Sequence, residues 1–345
     1  MGDTRGSFVP QRVFFEEGAL SYPLGREMYD RFRGMGVVVG VIPPRGRVPG
    51  GRGLSPETSY REAKRTLVFA VRRSLAFQTC KPSAHYQLPL VTGCPGLCEY
   101  CYLQTTLGPR PYMRAYVNID EIIERAARYI RDRFPETTVF EGAATSDPLP
   151  VEDFTGGLAR AISFFGGQSH ALFRFVTKFA NVDGLLRLDH KGRTRFRFSV
   201  NAEPVIERYE AGTPRLDARL HAAGLVAAAG YPVGFLIAPV VVYDGWEDQY
   251  RDLLASLRDS MPARAAGALT FEIISHRFTP RAKSLISRRH PHTALPLDEN
   301  ERRVKMGQFG YVKYVYPDEL LRRIDDLFRL EIGRLFPGAR VDYVI

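Results

Sequence analysis

Apolar residues along this chain follow two alternating patterns. Short β-branched or aromatic runs, such as Val37–Ile42 and Val233–Ala238, have the composition of buried strands. Longer stretches place apolar residues three or four positions apart, as between Ile119 and Phe134, which predicts amphipathic helices. The two patterns alternate through most of the chain, and this alternation predicts the fold class.

Six β/α steps follow one another between about Tyr86 and about Arg289. The predicted strands are Tyr86–Val91, Thr137–Glu141, Leu172–Thr177, Arg195–Asn201, Val233–Ala238 and Leu269–Ile274. Such alternation is typical of a parallel sheet with crossover helices. We therefore predict an α/β fold built on a partial (β/α)6 TIM-type barrel.

Two further segments flank the predicted barrel. Residues 1–76 read as a small N-terminal α/β extension packed on the barrel, and residues 77–290 form the barrel itself. In residues 291–345 the glycine-punctuated stretch Val304–Tyr316 predicts a β-hairpin, and Pro317–Phe336 predicts an amphipathic helix.

Composition narrows the class of protein. With 345 residues, 45% hydrophobic and 25% charged, the chain is globular rather than disordered, collagenous or coiled-coil. No apolar run is long enough to span a bilayer, and the first residues lack the apolar core of a signal peptide. We expect a cytoplasmic protein without a membrane partner. Its net charge of +10 favours an anionic partner, nucleic acid before membrane.

Three of the four cysteines form the motif C-x3-C-x2-C, at Cys94, Cys98 and Cys101. The motif follows the first predicted barrel strand, at the sheet edge that carries active sites in barrels. Three thiolates can hold a [4Fe–4S] cluster with one iron open to an outside ligand. Two alternatives stay open: a closed zinc site completed by Cys80 or His85, and three buried structural cysteines.

This motif, with an aromatic residue beside its last cysteine, resembles the signature of radical S-adenosylmethionine enzymes. The sequence around the motif resembles one family within that superfamily, the spore photoproduct lyases. The likeness is carried by FQTCKPSAHYQLPLVTGCPGLCEYCYLQTTLG (77–108), FEGAATSD (140–147), FVTKFANVDGLL (175–186), FRFSVNAE (196–203), GYPVGFLIAPV (230–240) and KYVYPDEL (313–320).

The resemblance implies a DNA repair lyase that splits 5-thyminyl-5,6-dihydrothymine, the spore photoproduct, to two thymines through a 5′-deoxyadenosyl radical. It implies a cluster on Cys94, Cys98 and Cys101 and an external one-electron reductant. The residues implied near S-adenosylmethionine are Ser146, Lys178, Ser199 and Ala238, and those implied to relay hydrogen are Tyr100 and Tyr102. We expect a monomer. The alternatives are a radical enzyme acting on another nucleic-acid substrate and a zinc-stabilised nucleic-acid-binding protein.

One position departs from the family pattern. The cysteine that returns hydrogen to the thymine radical is expected immediately before Thr145, where this chain has Ala144. A methyl C–H bond is far stronger than a thiol S–H bond, so Ala144 is not a facile hydrogen donor. Three explanations stay open: an introduced substitution, another donor (Tyr102, Tyr100 or Cys80), or a relative with another substrate. We expect cleavage of adenosylmethionine with poor quenching of the thymine radical.

The basic surplus is concentrated near the predicted hairpin. Residues 277–313 contain nine basic and three acidic residues. Basic side chains bind phosphates, and aromatic side chains can fill the space left by a base that has been flipped out of the duplex. We expect the hairpin around Gly307–Gly310 to fill that space, which makes residues 291–345 the predicted DNA-contacting segment. The predicted DNA contacts are Arg302, Arg303, Lys305, Gln308, Phe309 and Lys313. A second basic loop, Arg45–Arg47 with Arg52, is a weaker candidate.

Overall fold

The computed structural model describes residues 8–51, 53–81, 83–307 and 310–345. The strands within these ranges are β1 (Arg12–Glu16), β2 (Val38–Ile42), β3 (Thr66–Ala70), β4 (Thr79–Cys80), β5 (Ala84–Gln87), β6 (Val91–Thr92), β7 (Met113–Tyr116), β8 (Thr138–Glu141), β9 (Ala171–Thr177), β10 (Thr194–Val200), β11 (Val233–Val240), β12 (Thr270–Ser275), β13 (Arg303–Met306), β14 (Val312–Val315) and β15 (Arg340–Val344).

The α-helices of the same ranges alternate with these strands. They are α1 (Pro23–Gly34), α2 (Pro56–Lys64), α3 (Leu103–Thr106), α4 (Ile119–Asp132), α5 (Glu152–Thr155), α6 (Gly157–Gly166), α7 (Glu203–Tyr209), α8 (Leu216–Ala228), α9 (Trp246–Ser260), α10 (Pro280–Arg289) and α11 (Asp318–Leu335). No helix of the described residues is both long enough and apolar enough to cross a membrane.

The chain divides into two compact units, the first comprising residues 1–95 and 107–195 and the second 96–106 and 196–345. These limits differ from the three segments predicted from the sequence, whose boundaries stay a prediction. The cysteine motif is divided between the units, with Cys94 in the first and Cys98 and Cys101 in the second.

The first unit contains a five-stranded sheet with the order β2-β1-β3-β7-β6. β1, β2, β3 and β7 are parallel neighbours, and β6 joins β7 antiparallel. Both faces of β3 are buried, as expected for a central parallel strand. The rings of Phe15 and Phe69 stack 4.9 Å apart in the core of this sheet.

The predicted strand Tyr86–Val91 is in fact two strands in the first unit. β5 pairs with β8, while β6 pairs with β7 in the five-stranded sheet. Pro89 lies between them and has no N–H to donate to a strand neighbour, which explains the break. β8 also pairs parallel with β9, and β4 adds antiparallel to β5.

The second unit contains the parallel series β10-β11-β12-β15. The last strand, β15, was not predicted, although it completes one more β/α step after α11. The predicted hairpin is present as β13 and β14, which pair antiparallel from Arg303–Val315 to Met306–Val312. The predicted helix Pro317–Phe336 corresponds to α11.

Candidate functional site

The cysteine motif lies in the loop between β6 and α3. All four cysteines are thiols; Cys98 is buried, and Cys94 and Cys101 are half-buried. A set of three thiols fits a cluster ligated by three thiolates. Within the ranges that the structure describes, no three or more His, Cys, Asp or Glu side chains are grouped as ligands of a single metal ion.

In the first unit, backbone hydrogen bonds fix the residue before the motif. Gly93 N–H donates to the Thr145 carbonyl at 3.0 Å, and Asp147 N–H donates to the Gly93 carbonyl at 3.1 Å. Gly93 has a φ of +85°, and a Cβ there would lie 2.8 Å from the Tyr112 carbonyl oxygen. Glycine is therefore required at this position, and Cys94 begins directly beside the loop that carries Ser146.

Asp147 joins this loop to the end of β9. Its carboxylate accepts hydrogen bonds from the Thr177 hydroxyl at 3.0 Å, the Lys178 N–H at 2.9 Å and the Leu149 N–H at 3.2 Å. Burial raises the pKa of Asp147 to about 6, and these hydrogen bonds only partly oppose the shift. The structure thus places Ser146 and Lys178, two predicted cofactor residues, on loops joined by one carboxylate that the sequence analysis missed.

Ala144 occupies the same loop and is partly exposed. The buried Glu141 accepts a hydrogen bond from the Ala143 N–H at 3.2 Å and forms an ion pair with Arg174 at 3.2 Å. The loop is therefore held at both ends, by Glu141 before Ala144 and by Asp147 after it. Two residues are predicted as alternative fourth ligands of a zinc site. His85 accepts a hydrogen bond from the Val139 N–H through Nδ1 at 2.9 Å, and Cys80 lies on β4.

In the second unit, Tyr100 is held by a buried ion pair. Its hydroxyl donates to the Glu210 carboxylate, which pairs with Arg219 at 2.7 Å with both charged side chains fully buried. Arg219 also donates to the carbonyl oxygen of Ser199 at 3.1 Å. Burial, together with the charge of Glu210, raises the pKa of Tyr100 well above its usual value, so the phenol stays protonated.

The loop between Cys98 and Cys101 is further anchored by its backbone. Leu97 N–H donates to the Ala211 carbonyl at 2.8 Å, and Glu99 N–H donates to the Tyr209 carbonyl at 2.9 Å. Ser199 is buried on β10 and Ala238 half-buried on β11, both in this unit. Glu210 and Arg219 were not predicted; the available signal was a lone arginine among the apolar residues of the α8 stretch.

A cavity of about 890 Å³ lies beside Cys101 in the second unit. Aromatic and basic side chains share its wall: Tyr100, Tyr102, Phe278, Tyr311, Arg277, Arg281 and Lys313. Tyr102, which is 59% exposed, is the more accessible of the two predicted relay tyrosines. Stacking surfaces combined with positive charge suit a nucleotide-sized anionic ligand.

Arg302, one of the predicted DNA contacts, is engaged within the protein. Arg302 is buried, and its guanidinium donates to the carbonyl oxygens of His276 at 3.0 Å and Pro296 at 2.9 Å. It also lies 3.7 Å from the Tyr316 ring centroid. Arg302 therefore holds the base of the hairpin, and its hydrogen bonds to two carbonyl oxygens are directed into the protein.

The other predicted DNA contacts differ in accessibility. Arg303 is exposed and pairs with Asp318 at 2.9 Å, and Lys305 is exposed on β13. Lys313 lies 5.0 Å from the Tyr311 ring centroid and lines the cavity. Gln308 and Phe309, at the predicted hairpin tip, lie outside the described residues, as does Arg52 of the second basic loop.

The sequence of this chain is similar to known proteins over nearly its whole length. A family model for spore photoproduct lyase matches residues 8–345. The spore photoproduct lyase of Geobacillus sp. (strain Y412MC61) is 49% identical over 336 residues, covering 97% of this chain and 98% of that protein. The corresponding protein of Bacillus subtilis (strain 168) is 46% identical over 336 residues, with the same coverage.

The fold of this chain is also similar to solved structures. A double variant of spore photoproduct lyase with bound AdoMet and dinucleoside spore photoproduct matches with a TM-score of 0.94 and 48% identity, covering 98% of this chain and 99% of that chain. The predicted partial TIM-type barrel is confirmed. Fold and motif define a radical S-adenosylmethionine enzyme. Within that class, the chain belongs to the spore photoproduct lyase family, whose members are lyases that repair the spore photoproduct.

The raised pKa of Asp147 predicts a specific pH dependence of stability. Because its pKa is about 6 in the folded protein against an ordinary 3.8, the folded state binds this proton more tightly than the unfolded chain. The resulting stabilisation is complete below a pH of about 4 and is lost as the pH rises through about 6.

Asp147→Asn removes this titration. The free energy of unfolding of the wild type minus that of the variant should therefore fall between pH values of about 4 and 6 and stay level above about 7. Urea unfolding across this range measures the difference, in which the shared titration of other groups, such as Glu152 with its pKa raised to about 7, largely cancels. Parallel profiles for the two proteins would refute the assignment.

Proposed function

We propose that this chain splits the spore photoproduct in ultraviolet-damaged DNA to two thymines. The observation that carries the proposal is similarity to spore photoproduct lyases over nearly the whole chain, 97% of it in the comparisons with both bacterial relatives. It is supported by structures of such lyases with the dinucleoside lesion bound. The cavity beside Cys101, with its aromatic and basic walls, adds support from this chain's own residues.

Cys94, Cys98 and Cys101 are proposed to hold a [4Fe–4S] cluster, and Ser146, Lys178, Ser199 and Ala238 to bind S-adenosylmethionine. When bound, this pair of cofactors would supply the radical chemistry needed to remove a hydrogen from C6 of the dihydrothymine. The Lys178 ammonium can neutralise the carboxylate of the methionine moiety. The Asp147 carboxylate fixes the backbone of Lys178 by accepting its N–H. We propose further that an external one-electron reductant reduces the cluster and that the enzyme is a monomer.

The lesion is proposed to enter the second-unit cavity after flipping out of the duplex. A base inside a duplex cannot reach a buried reacting group, so the lesion must leave the stack. Tyr102 and Tyr311 provide surfaces for stacking, while Arg277 and Lys313 provide positive charge for the adjoining phosphates. Burial lowers the pKa of Arg277. Positive charge at a partly desolvated wall attracts an anion more strongly than it would in water.

Ala144 leaves the hydrogen-return step to another residue. Tyr100 donates its hydroxyl hydrogen to Glu210, so that hydrogen is directed into the protein rather than toward a ligand. Tyr102 is exposed beside the cavity, and Cys80 offers a half-buried thiol on β4. Tyr102 and Cys80 are therefore the proposed donors, and they can be distinguished by the products formed.

Product analysis with the dinucleoside lesion tests the function. The reconstituted protein, given S-adenosylmethionine and a chemical reductant without oxygen, should release the thymine dinucleotide from the lesion and nothing from undamaged dinucleotide. Ala144→Cys should raise the share of clean thymine product, because a thiol then stands where the family donor is expected.

Two further variants identify the donor. Cys80→Ser and Tyr102→Phe should leave adenosylmethionine cleavage in place, while the variant that removes the donor should divert the thymine radical to adducts. Control reactions with Thr79→Ser, next to Cys80 on β4, should match the wild type. Cleavage of adenosylmethionine with no conversion of the lesion by any of these proteins would overturn the proposed substrate.

DNA affinity should follow the accessible basic residues. Lys313→Ala and Lys305→Ala should each weaken binding to damaged duplex, because each variant leaves one phosphate without a neutralising cation. The slope of log K against log salt should flatten by about 0.9 for each such phosphate. Fluorescence anisotropy at several salt concentrations measures both the affinity and this slope.

Arg329→Ala, which removes an exposed charge paired with Asp325 on α11, is the matched control and should bind as the wild type does. Unchanged slopes in both lysine variants would remove the hairpin from the DNA-binding surface.

A further inference from the structure

A buried lysine contacts the first cysteine of the motif. Lys64, the last residue of α2, is 1% exposed, and its Nζ donates a hydrogen bond to the Cys94 carbonyl oxygen at 2.8 Å. The ammonium also lies 5.3 Å from the ring centroid of Tyr60, one turn earlier on the same helix and fully buried. All three residues belong to the first unit.

The charge of Lys64 is not neutralised by a carboxylate among the described residues. The acidic residues of its own helix are paired elsewhere, Glu62 with Arg12 and Glu57 with Arg61. A carbonyl oxygen and an aromatic face stabilise a cation, but they carry no net negative charge. A buried cation without a counter-charge is costly, so this arrangement points to an anion that binds beside Cys94.

We infer that Lys64 is the protein's counter-charge for the iron–sulfur cluster, and that it favours one-electron reduction of that cluster. The inference rests on the proposed function, since it requires a cluster on Cys94, Cys98 and Cys101. A cluster with three thiolate ligands is an anion, and reduction adds one more negative charge. A fixed positive charge next to a ligand stabilises the reduced form more than the oxidised form and so raises the reduction potential.

A purely structural role for Lys64 makes a different prediction. If the lysine only anchored the loop, a neutral side chain that donates to the Cys94 carbonyl would serve equally well. Lys64→Gln keeps an N–H donor without the charge, while Lys64→Arg keeps the charge with another shape. The reduction potential separates the two roles, because it responds to charge rather than to anchoring alone.

The test is an EPR-monitored redox titration of anaerobically reconstituted proteins with matched iron content. Lys64→Gln should lower the equilibrium constant for reduction about tenfold, a negative shift of about 59 mV for a one-electron couple. Lys64→Arg should stay near the wild type. Lys191→Gln, which removes an exposed lysine of the same unit, is the control and should not shift. A wild-type potential in Lys64→Gln overturns the inference.

Iron analysis and thermal unfolding cover the remaining outcomes. A wild-type protein that binds no iron overturns the proposed function itself. If Lys64→Gln folds but loses iron, recovery of iron in Lys64→Arg supports the counter-charge, and failure to recover it contradicts it. Without the cluster, Lys64→Met should melt at or above the wild-type temperature, because it removes an uncompensated buried charge. A lower melting temperature of this cluster-free variant would show that Lys64 serves the fold instead.

Discussion

Two backbone hydrogen bonds at Gly93 fix the position of the residue that precedes Cys94, the first cysteine of the motif. Gly93 donates to Thr145 and accepts from Asp147, and the Asp147 carboxylate reaches on to Thr177 and Lys178. Loops after β6, β8 and β9 therefore share one hydrogen-bonded network. Residues with the side chains that the proposed cofactors require, a thiol, a hydroxyl and an ammonium, thus have their backbones positioned by the ends of separate strands.

Charge is buried within each unit at a cost to stability. Glu141 with Arg174 holds the loop of Ala144, Glu210 with Arg219 holds Tyr100, and Lys64 donates to Cys94. Buried ion pairs contribute little net stability compared with apolar packing, and an unpaired buried charge is unfavourable. Buried charges that hold such loops are typical of sites where polar groups are fixed in advance for a charged ligand.

The sequence predicts those features that depend on local pattern. Five of the six predicted barrel strands follow from short β-prone runs that alternate with helical stretches, and the motif follows from the spacing of three cysteines. Pro89 could have predicted the break between β5 and β6, since it lacks a donor. β15 is short and close to the end of the chain, so its five residues give little pattern to recognise.

Features that depend on tertiary packing could not be read from the sequence. Arg302 lies in a basic stretch that resembles a DNA-binding surface, yet its guanidinium is buried at the base of the hairpin. Lys64 and Asp147 lie in stretches whose local pattern does not distinguish a buried charge from an exposed one, and the apolar stretch around Arg219 does not identify the partners of its guanidinium. Their roles come from partners far away in the sequence, such as Cys94 for Lys64 and Ser199 for Arg219.

The proposed chemistry requires that the three cysteines hold an iron–sulfur cluster. Metal and sulfide analysis of the anaerobically prepared protein tests it most directly, with a variant in which all three cysteines are replaced by alanine as the control. We expect a brown protein with about four iron atoms and a similar amount of acid-labile sulfide per chain, both absent from the variant. A colourless protein with about one zinc per chain would contradict it.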